Sequence, residues 1–374
     1  MNKIVAKFGG TSVANVEAIK RSAQIVAENP KIGVVVVSAT ATTTNHLEEF
    51  ASKSLNSGQE ALNLWEDVYS RHYNMAQDLN ADQSVLDALE DIFCEGESLA
   101  LRVKQEGGLS AKMMDSFYAL GERMSTPLFK TALKQAVNNS CDIVELDARE
   151  IIWTDDNFLE ASPLKESIYE SCQRLIEFDR EHRVFVTQGF IGSTLEGRVT
   201  TLGREGSDFS AALFCEGLRA SELQIWTDVE GVLSSDPRIV SNPKTISELD
   251  YLEAEALSLA GAKVIHPKTY SSLKDLGMPL YVASSLKGST SPGTWIMNLN
   301  LKEARVVGIA SDRDSISLVG HNIHILKDDL LNSFRELSFK IRSISHANHS
   351  IRLILGLEED KNLVINELHK LLFE

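Results

Sequence analysis

Four consecutive valines, Val34–Val37, run without a polar residue into Ser38-Ala39-Thr40. A strand apolar on both faces has no solvent side, so it belongs inside a parallel sheet covered by helices, its carboxyl end opening into a polar loop. The neighbouring segments agree. Ile4–Phe8 is a short β-rich run that stops at Gly9-Gly10, and Asn15 then opens a helical pattern through Val16, Ile19, Ala23 and Val26 to Pro30. Further strand candidates are Ile143–Leu146, Val184–Thr187, Leu223–Trp226 and Leu280–Val282. Helical periodicity dominates from about Leu47 to Val137, with a single break at Gly107-Gly108. This alternation predicts an α/β fold with a mostly parallel open sheet between helices.

The texture changes after Pro292-Gly293. Thr294–Met297 makes one more strand, Asn298–Glu303 reads as a linker, and shorter elements follow. Strands are expected at Val306–Ala310, Ser315–Val319, Lys340–Ser345 and Ser350–Leu355, and helices at Asp328–Leu337 and Lys361–Leu372, the latter capped by Asp360. The order ββαββα is a ferredoxin-like α+β unit with its last strand moved to the front. In a chain of 374 residues two domains are expected, because a single core usually splits beyond about 250–300 residues. The division falls at residues 1–298 and 304–374.

With 53 acidic and 37 basic side chains the formal charge is −16, which disfavours a nucleic-acid or anionic-membrane partner. No apolar run approaches the ~20 residues of a spanning helix, and the first ten residues lack the apolar region of a signal peptide. A soluble, cytoplasmic protein is expected. Cys94, Cys141, Cys172 and Cys215 form no CxxC pair, so buried reduced thiols are expected rather than a disulfide framework or zinc site. His321 with His324 and His346 with His349 have i, i+3 spacing within strand pattern, where the two side chains face opposite sides; no metal site is expected.

Four segments carry chemistry. Lys7-Phe8-Gly9-Gly10-Thr11-Ser12 places a lysine at a strand end before two glycines and two hydroxyls, a phosphate cradle without the Walker spacing; an ordinary Gly-Gly turn fits the same spacing. Thr201-Leu202-Gly203-Arg204-Glu205-Gly206-Ser207-Asp208 offers an arginine fork for a carboxylate beside a helix start, or an N-capped turn with a surface arginine. Trp226–Arg238 begins as a buried strand ending in Thr227-Asp228, where open α/β sheets bind ligands, and continues to Asp236-Pro237-Arg238; a hairpin with a solvated arginine competes. Gly261-Ala262-Lys263-Val264-Ile265-His266-Pro267 sets a lysine at a helix end, which the helix dipole alone would explain.

In this order, the segments resemble the aspartate kinases of the amino-acid kinase family. KFGGTSV (Lys7–Val13), Thr44-Asn45, GERMST (Gly121–Thr126), TQGFIG (Thr187–Gly192), TLGREGSD, WTDVEGVLSSDPR and GAKVIHP all match, over Met1 to about Met297. The resemblance implies transfer of the ATP γ-phosphoryl, with Mg²⁺, to the side-chain carboxylate of L-aspartate. A carboxylate acceptor with pKa near ~4 is ionised at pH 7 and needs no general base. What remains is alignment and charge neutralisation.

By the same resemblance, Lys7 would bridge phosphate oxygens, with Gly9, Gly10, Thr11 and Ser12 lining the cradle. Arg204 would clamp the α-carboxylate of aspartate, aided by Ser207, Thr44 and Glu122, the last pairing with its ammonium, while Ser38 lies near the transfer point. Asp208 would hold Lys7 or order the metal shell. On the nucleotide side Thr227 and Asp228 would meet ribose or base, Leu233 the adenine, and Arg238, Lys263 and Val264 the phosphate end. Three departures stand out: Leu233 occupies a place where relatives often carry an aromatic residue near the adenine, Thr42 one where glycine is common, and Glu205 one where some relatives carry glycine although glutamate is also familiar.

Family members usually carry two ACT units, which bind feedback amino acids, but residues 304–374 have room for one. The expectation is a homodimer through ACT units with lysine or threonine inhibition weak, altered or absent. The competing readings are another kinase of this fold, or an inactive amino-acid sensor.

Overall fold

The computed structural model describes residues 3–138, 140–178, 183–262, 265, 267–313, 315–336, 339–356 and 359–374. The chain divides into two compact units, residues 1–228 with 284–291, and residues 229–283 with 292–374.

In the first unit β1 (Ile4–Phe8) and β2 (Ile32–Val37) are buried along their whole length, as two-sided apolar strands require. Between them α1 (Val16–Glu28) is capped by Asn15, whose side chain accepts from the Ala18 amide. Four helices follow: α2 (Thr43–Asn56), α3 (Gly58–Asp78), α4 (Gln83–Glu106) and α5 (Ala111–Ala136). The expected break at Gly107 is present, with φ +65°. Two more occur, at Ser57 and at Leu79–Asp82, where Asn80 takes a left-handed conformation. Continuous apolar periodicity hid them, since Phe50, Trp65 and Phe117 stack into one aromatic cluster shared by α2, α3 and α5.

The remaining elements of this unit are β3 (Asp142–Leu146), β4 (Trp153–Thr154), α6 (Lys165–Phe178), β5 (Arg183–Gln188), β6 (Ile191–Thr194), β7 (Val199–Thr201), α7 (Gly206–Leu218) and β8 (Glu222–Thr227). Strands run in the order β3-β5-β2-β1-β8 with every pair parallel. α1 packs on α5 and α6 on α7, so helices cover the sheet. A small sheet β4-β6-β7 stands beside it. The carboxyl ends of β1, β2 and β5 therefore open together, the usual ligand position in such sheets.

The second unit contains β9 (Glu248–Asp250), α8 (Tyr251–Leu259), α9 (Pro267–Leu276), β10 (Leu280–Ser284) and β11 (Gly293–Met297), with β11 antiparallel to β10 and parallel to β9. Next come β12 (Gly308–Ser311), β13 (Ser315–Val319), α10 (Lys327–Glu336), β14 (Ile341–Ala347), β15 (Ser350–Leu355) and α11 (Lys361–Phe373). These make an antiparallel sheet in the order β12-β13-β15-β14, an ACT-like α+β arrangement. Asp360 caps α11 through the Asn362 and Leu363 amides. Val240 joins Ile309, Leu318, Ile351 and Leu368 in the core of this sheet.

Cys172 and Cys215 are buried and desolvation pushes their thiols up to about 12, but Cys94 is exposed and Cys141 half-buried, so only two of the four match expectation. Cys94 lies on the outer side of α4. Among the described residues no group of three or more His, Cys, Asp or Glu side chains could hold a metal ion, and no helix is long and apolar enough to cross a membrane.

Candidate active site

A cavity of about 630 Å³ opens at the carboxyl ends of β1 and β2. β1 delivers Lys7, whose Nζ lies 2.6 Å from Asp208 Oδ1 at the start of α7. Both side chains are nearly buried, so each offsets the other's desolvation. Gly9 donates its amide to the Trp226 carbonyl, which fixes the exit of β1 against β8. Gly10 lines the cavity, and a side chain there would sit 2.9 Å from the Ala39 carbonyl.

The β2 exit contributes Ser38–Thr42, and α2 contributes Thr44, Asn45 and Glu48. α5 presents Tyr118 and Glu122 one turn apart. Gly121 lets α5 approach α2: a Cβ there would meet Leu47 and Thr43 at 2.9 Å. Ser125 donates to the Ser38 carbonyl at 2.8 Å, tying the same helix to the β2 exit. Across the cavity stand Leu159, Phe190, Thr201 and the Gly203–Asp208 turn. Arg204 is exposed within it and Ser207 half-buried.

Two electrostatic features mark the site. Glu122 is buried, accepts from the Ala39 amide, and leaves Oε2 without a hydrogen-bond partner among the described residues. Burial pushes its pKa up to about 8, opposed by that amide and by the charge of Lys7. A buried carboxyl with an unused oxygen facing a cavity is a receptor for a cation.

The second feature is the convergence of two helix N-termini. α2 begins after Thr42 and α7 after Glu205; neither has a side-chain cap, and Thr42, Thr44, Glu205 and Gly206 all line the cavity. Uncapped amides and the positive ends of two helix dipoles favour an anion there. Both cap residues are left-handed, Thr42 at φ +69° and Glu205 at +55°, as are Leu159 at +73° and Phe190 at +69°. Four strained non-glycine residues lining one cavity point to a site whose shape is held by its surroundings.

The structure thus brings together Lys7, Gly10, Ser38, Thr44, Glu122, Arg204, Ser207 and Asp208. It does not bring every expected residue there. The Ser12 hydroxyl is buried between the Trp226 carbonyl at 3.2 Å and Ser285 Oγ at 2.7 Å, and so braces β8 instead of lining a cradle. Gly9 and Thr11 lie outside the cavity lining, Thr11 exposed. Thr227 bonds to Asp228 at the end of β8. Leu233 is half-buried in the second unit, paired across a bridge to Thr245. Arg238 is 76% exposed there and its fork is taken up by Asp236, with contacts from 2.5 to 3.1 Å. Lys263 and Val264 lie outside the described residues.

Tyr118 and Glu48 were not foreseen, though Tyr118 sits four residues before Glu122 on one helical face. Its hydroxyl donates to Glu48 Oε1 at 2.7 Å, closing one side of the cavity.

A lysine-carboxylate pair at a strand end, an anion-binding pair of helix termini and a buried cation receptor form one constellation. Residues 2–284 match the amino acid kinase family. The chain belongs to this family. Among its relatives, the lysine-sensitive aspartokinase 3 of Escherichia coli is 35% identical over 326 residues, covering 86% of this chain and 70% of the relative. An aspartokinase of Chlamydia trachomatis is 33% identical over 350 residues, covering 90% and 75%. The crystal structure of E. coli aspartokinase III in complex with aspartate and ADP superposes with a TM-score of 0.76 at 30% identity, covering 99% of this chain and 83% of that one.

Proposed function

We infer that this kinase is an aspartate kinase, transferring the γ-phosphoryl of ATP to the side-chain carboxylate of L-aspartate to give 4-phospho-L-aspartate. The observation that carries the assignment to this cavity is that Glu122, with a buried oxygen unpartnered among the described residues, shares it with two uncapped helix N-termini and Arg204. A zwitterionic dicarboxylate supplies the matching charges: its ammonium to Glu122, its α-carboxylate to Arg204 and Ser207, and its second carboxylate toward Ser38, Thr44 and Lys7. The acceptor is already ionised, so the residues' task is alignment and neutralisation.

Lys7, held by Asp208, would bridge the phosphoryl oxygens near Gly10. Gly9, Thr11 and Ser12 would support that turn from behind. Thr227 and Asp228 would take the ribose or base side. Mg²⁺ usually needs one or two protein carboxylates and otherwise uses phosphate oxygens and water, and Asp208 at the cavity wall fits that modest demand. When bound, the ion would neutralise phosphate charge.

The division into a kinase domain at 1–298 and one ACT-like regulatory domain at 304–374 belongs to the same reading, supported by the four-stranded sheet and α11. A homodimer, a cytoplasmic location, and lysine or threonine as effector with inhibition weak, altered or absent follow from it. Coupled ADP release with L-aspartate beside L-glutamate tests the substrate, with lysine and threonine added singly and together. Turnover requiring glutamate instead would overturn the assignment, and micromolar inhibition by lysine or threonine would overturn the weak-feedback reading.

A further inference from the structure

The turn that shapes one side of the cavity is held from outside it. Arg71, on α3, is absent from the cavity lining, yet its guanidinium makes four hydrogen bonds to the turn between β2 and α2. One terminal nitrogen donates to the Ala41 carbonyl at 3.2 Å and the Thr42 hydroxyl at 3.0 Å. The other donates to the Thr40 hydroxyl at 2.8 Å and to the Thr43 hydroxyl. The neighbouring His72 is buried and reaches Thr40 Oγ1 with Nε2 at 3.0 Å.

The proton directions follow from the partners. His72 Nδ1 meets the Val68 carbonyl at 2.7 Å, so it must donate, and in the neutral ring Nε2 must accept. Thr40 therefore gives its only hydrogen to His72. Its oxygen then receives Arg71 and the hydroxyl of Thr43, which lies 2.6 Å away. Every hydroxyl hydrogen in the cluster except that of Thr42 is thereby assigned, and the turn is locked to α3.

We propose that Arg71 is a positioning residue for the acceptor substrate: it holds Thr42 left-handed and so aims the uncapped start of α2, with Thr44, into the cavity. This rests on the aspartate-kinase reading for the identity of the acceptor. The energetic need is visible in the backbone. A left-handed threonine is strained by its Cβ, and α2 has no side-chain cap of its own to fix its first turn. Without the guanidinium, the turn can relax toward ordinary φ and rotate the α2 amides away from the anion.

The test uses the full-length protein with Arg71→Ala, Arg71→Lys and Thr43→Val. For Arg71→Ala the expected result is a rise of tenfold or more in the aspartate KM, with kcat within about threefold and the ATP KM within about twofold. Millimolar methylguanidinium should restore part of the lost affinity in Arg71→Ala and do nothing to the unsubstituted protein; lysine, lacking the fork, should not rescue. Amide exchange over residues 40–46 should quicken. If Arg71→Ala does not fold, Thr43→Val removes one acceptor of the clamp and should raise the aspartate KM about threefold. An unchanged aspartate KM with unchanged exchange at 40–46 overturns the proposal, as does an equal rise in both KM values. Absence of aspartate-dependent ADP release in the unsubstituted protein refutes the function instead, while quickened exchange in Arg71→Ala would still report the clamp.

Discussion

Binding of L-aspartate at pH 7 should expel a proton from Glu122. With its pKa raised to about 8, the carboxyl is about nine-tenths protonated at pH 7 in the free protein. An ammonium placed against it favours the ionised form and typically lowers such a pKa by about 1–3 units. A fall to about 6 leaves the group about one-tenth protonated, so roughly 0.8 proton leaves for each aspartate bound. Isothermal titration in buffers of different ionisation enthalpy reads this directly as the slope of heat against buffer enthalpy. The slope should correspond to release, shrink toward zero near pH 9.5 where Glu122 is already ionised, and vanish in Glu122→Gln. Proton uptake, no release at pH 7, or equal release in Glu122→Gln would refute the placement of the ammonium.

The same carboxyl fixes a stability trend in the unliganded protein. Its folded pKa lies above its ordinary value of 4.5, so the folded state holds a proton that the unfolded state gives up between about pH 4.5 and 8. The penalty is absent below 4.5 and grows as pH rises. Raising the pH from 5 to 8 should cost the parent protein about 3–4 kcal/mol more than Glu122→Gln, on the 1.36 kcal/mol that accompanies each pKa unit.

Other consequences are simpler to measure. Lys7→Ala should lower turnover by about 10³-fold or more while far-UV circular dichroism stays unchanged; near-normal turnover would remove Lys7 from the transfer step. Arg204→Ala should act mainly on the aspartate requirement, raising its KM by about 10- to 100-fold, because the exposed guanidinium makes no ion pair among the described residues that folding would depend on. Glu205→Gly should raise stability by up to about 1 kcal/mol in chemical denaturation by relieving a left-handed glutamate. Thr42→Gly should gain less, since it also deletes the hydroxyl that Arg71 holds.

The elements that the sequence shows plainly are those whose cause is local. Val34–Val37 could only be a two-sided strand, and Asn15 and Asp360 cap the helices they precede. The Lys7–Asp208 pair joins residues 201 positions apart, and only the resemblance to the aspartate kinases implies it before the structure is seen. What escaped depends on tertiary partners. Ser12 looks like a cradle hydroxyl until Trp226 and Ser285 meet it. Arg71 reads as a surface arginine on an amphipathic helix, since nothing in its neighbourhood along the chain announces the four acceptors thirty residues earlier. The segment Trp226–Arg238 reads as one nucleotide motif, but the compact units divide it after Asp228. Beyond that point Ser234 accepts the Ile309 amide and bonds His369 Nε2 at 2.8 Å, and Asn366 donates to the Ile239 carbonyl. The second half of the motif is thus built into the packing of the ACT-like sheet.

The charge balance of the site also changes once its lining is known. An acidic chain of net −16 that binds two anions was expected to gather Lys7, Arg204, Arg238 and Lys263 in one cleft. Among the described residues the cavity is lined by two cations, Lys7 and Arg204, and four carboxyls, Glu48, Glu122, Glu205 and Asp208. Protonation of Glu122 removes one negative charge, and Tyr118 holds Glu48 to the side. The side chains still do not make an anion site by count. The amides of Thr43, Gly206 and Asp208 already donate to the Thr40, Gly203 and Glu205 carbonyls, so the attraction must come from the remaining first-turn amides of α2 and α7, Thr44, Asn45 and Ser207, which add positive potential without adding a titratable group. That requirement explains why Thr42 and Glu205 are held left-handed. A conventional cap would turn its oxygen onto those amides and silence them, whereas a left-handed, uncapped start leaves them for the substrate.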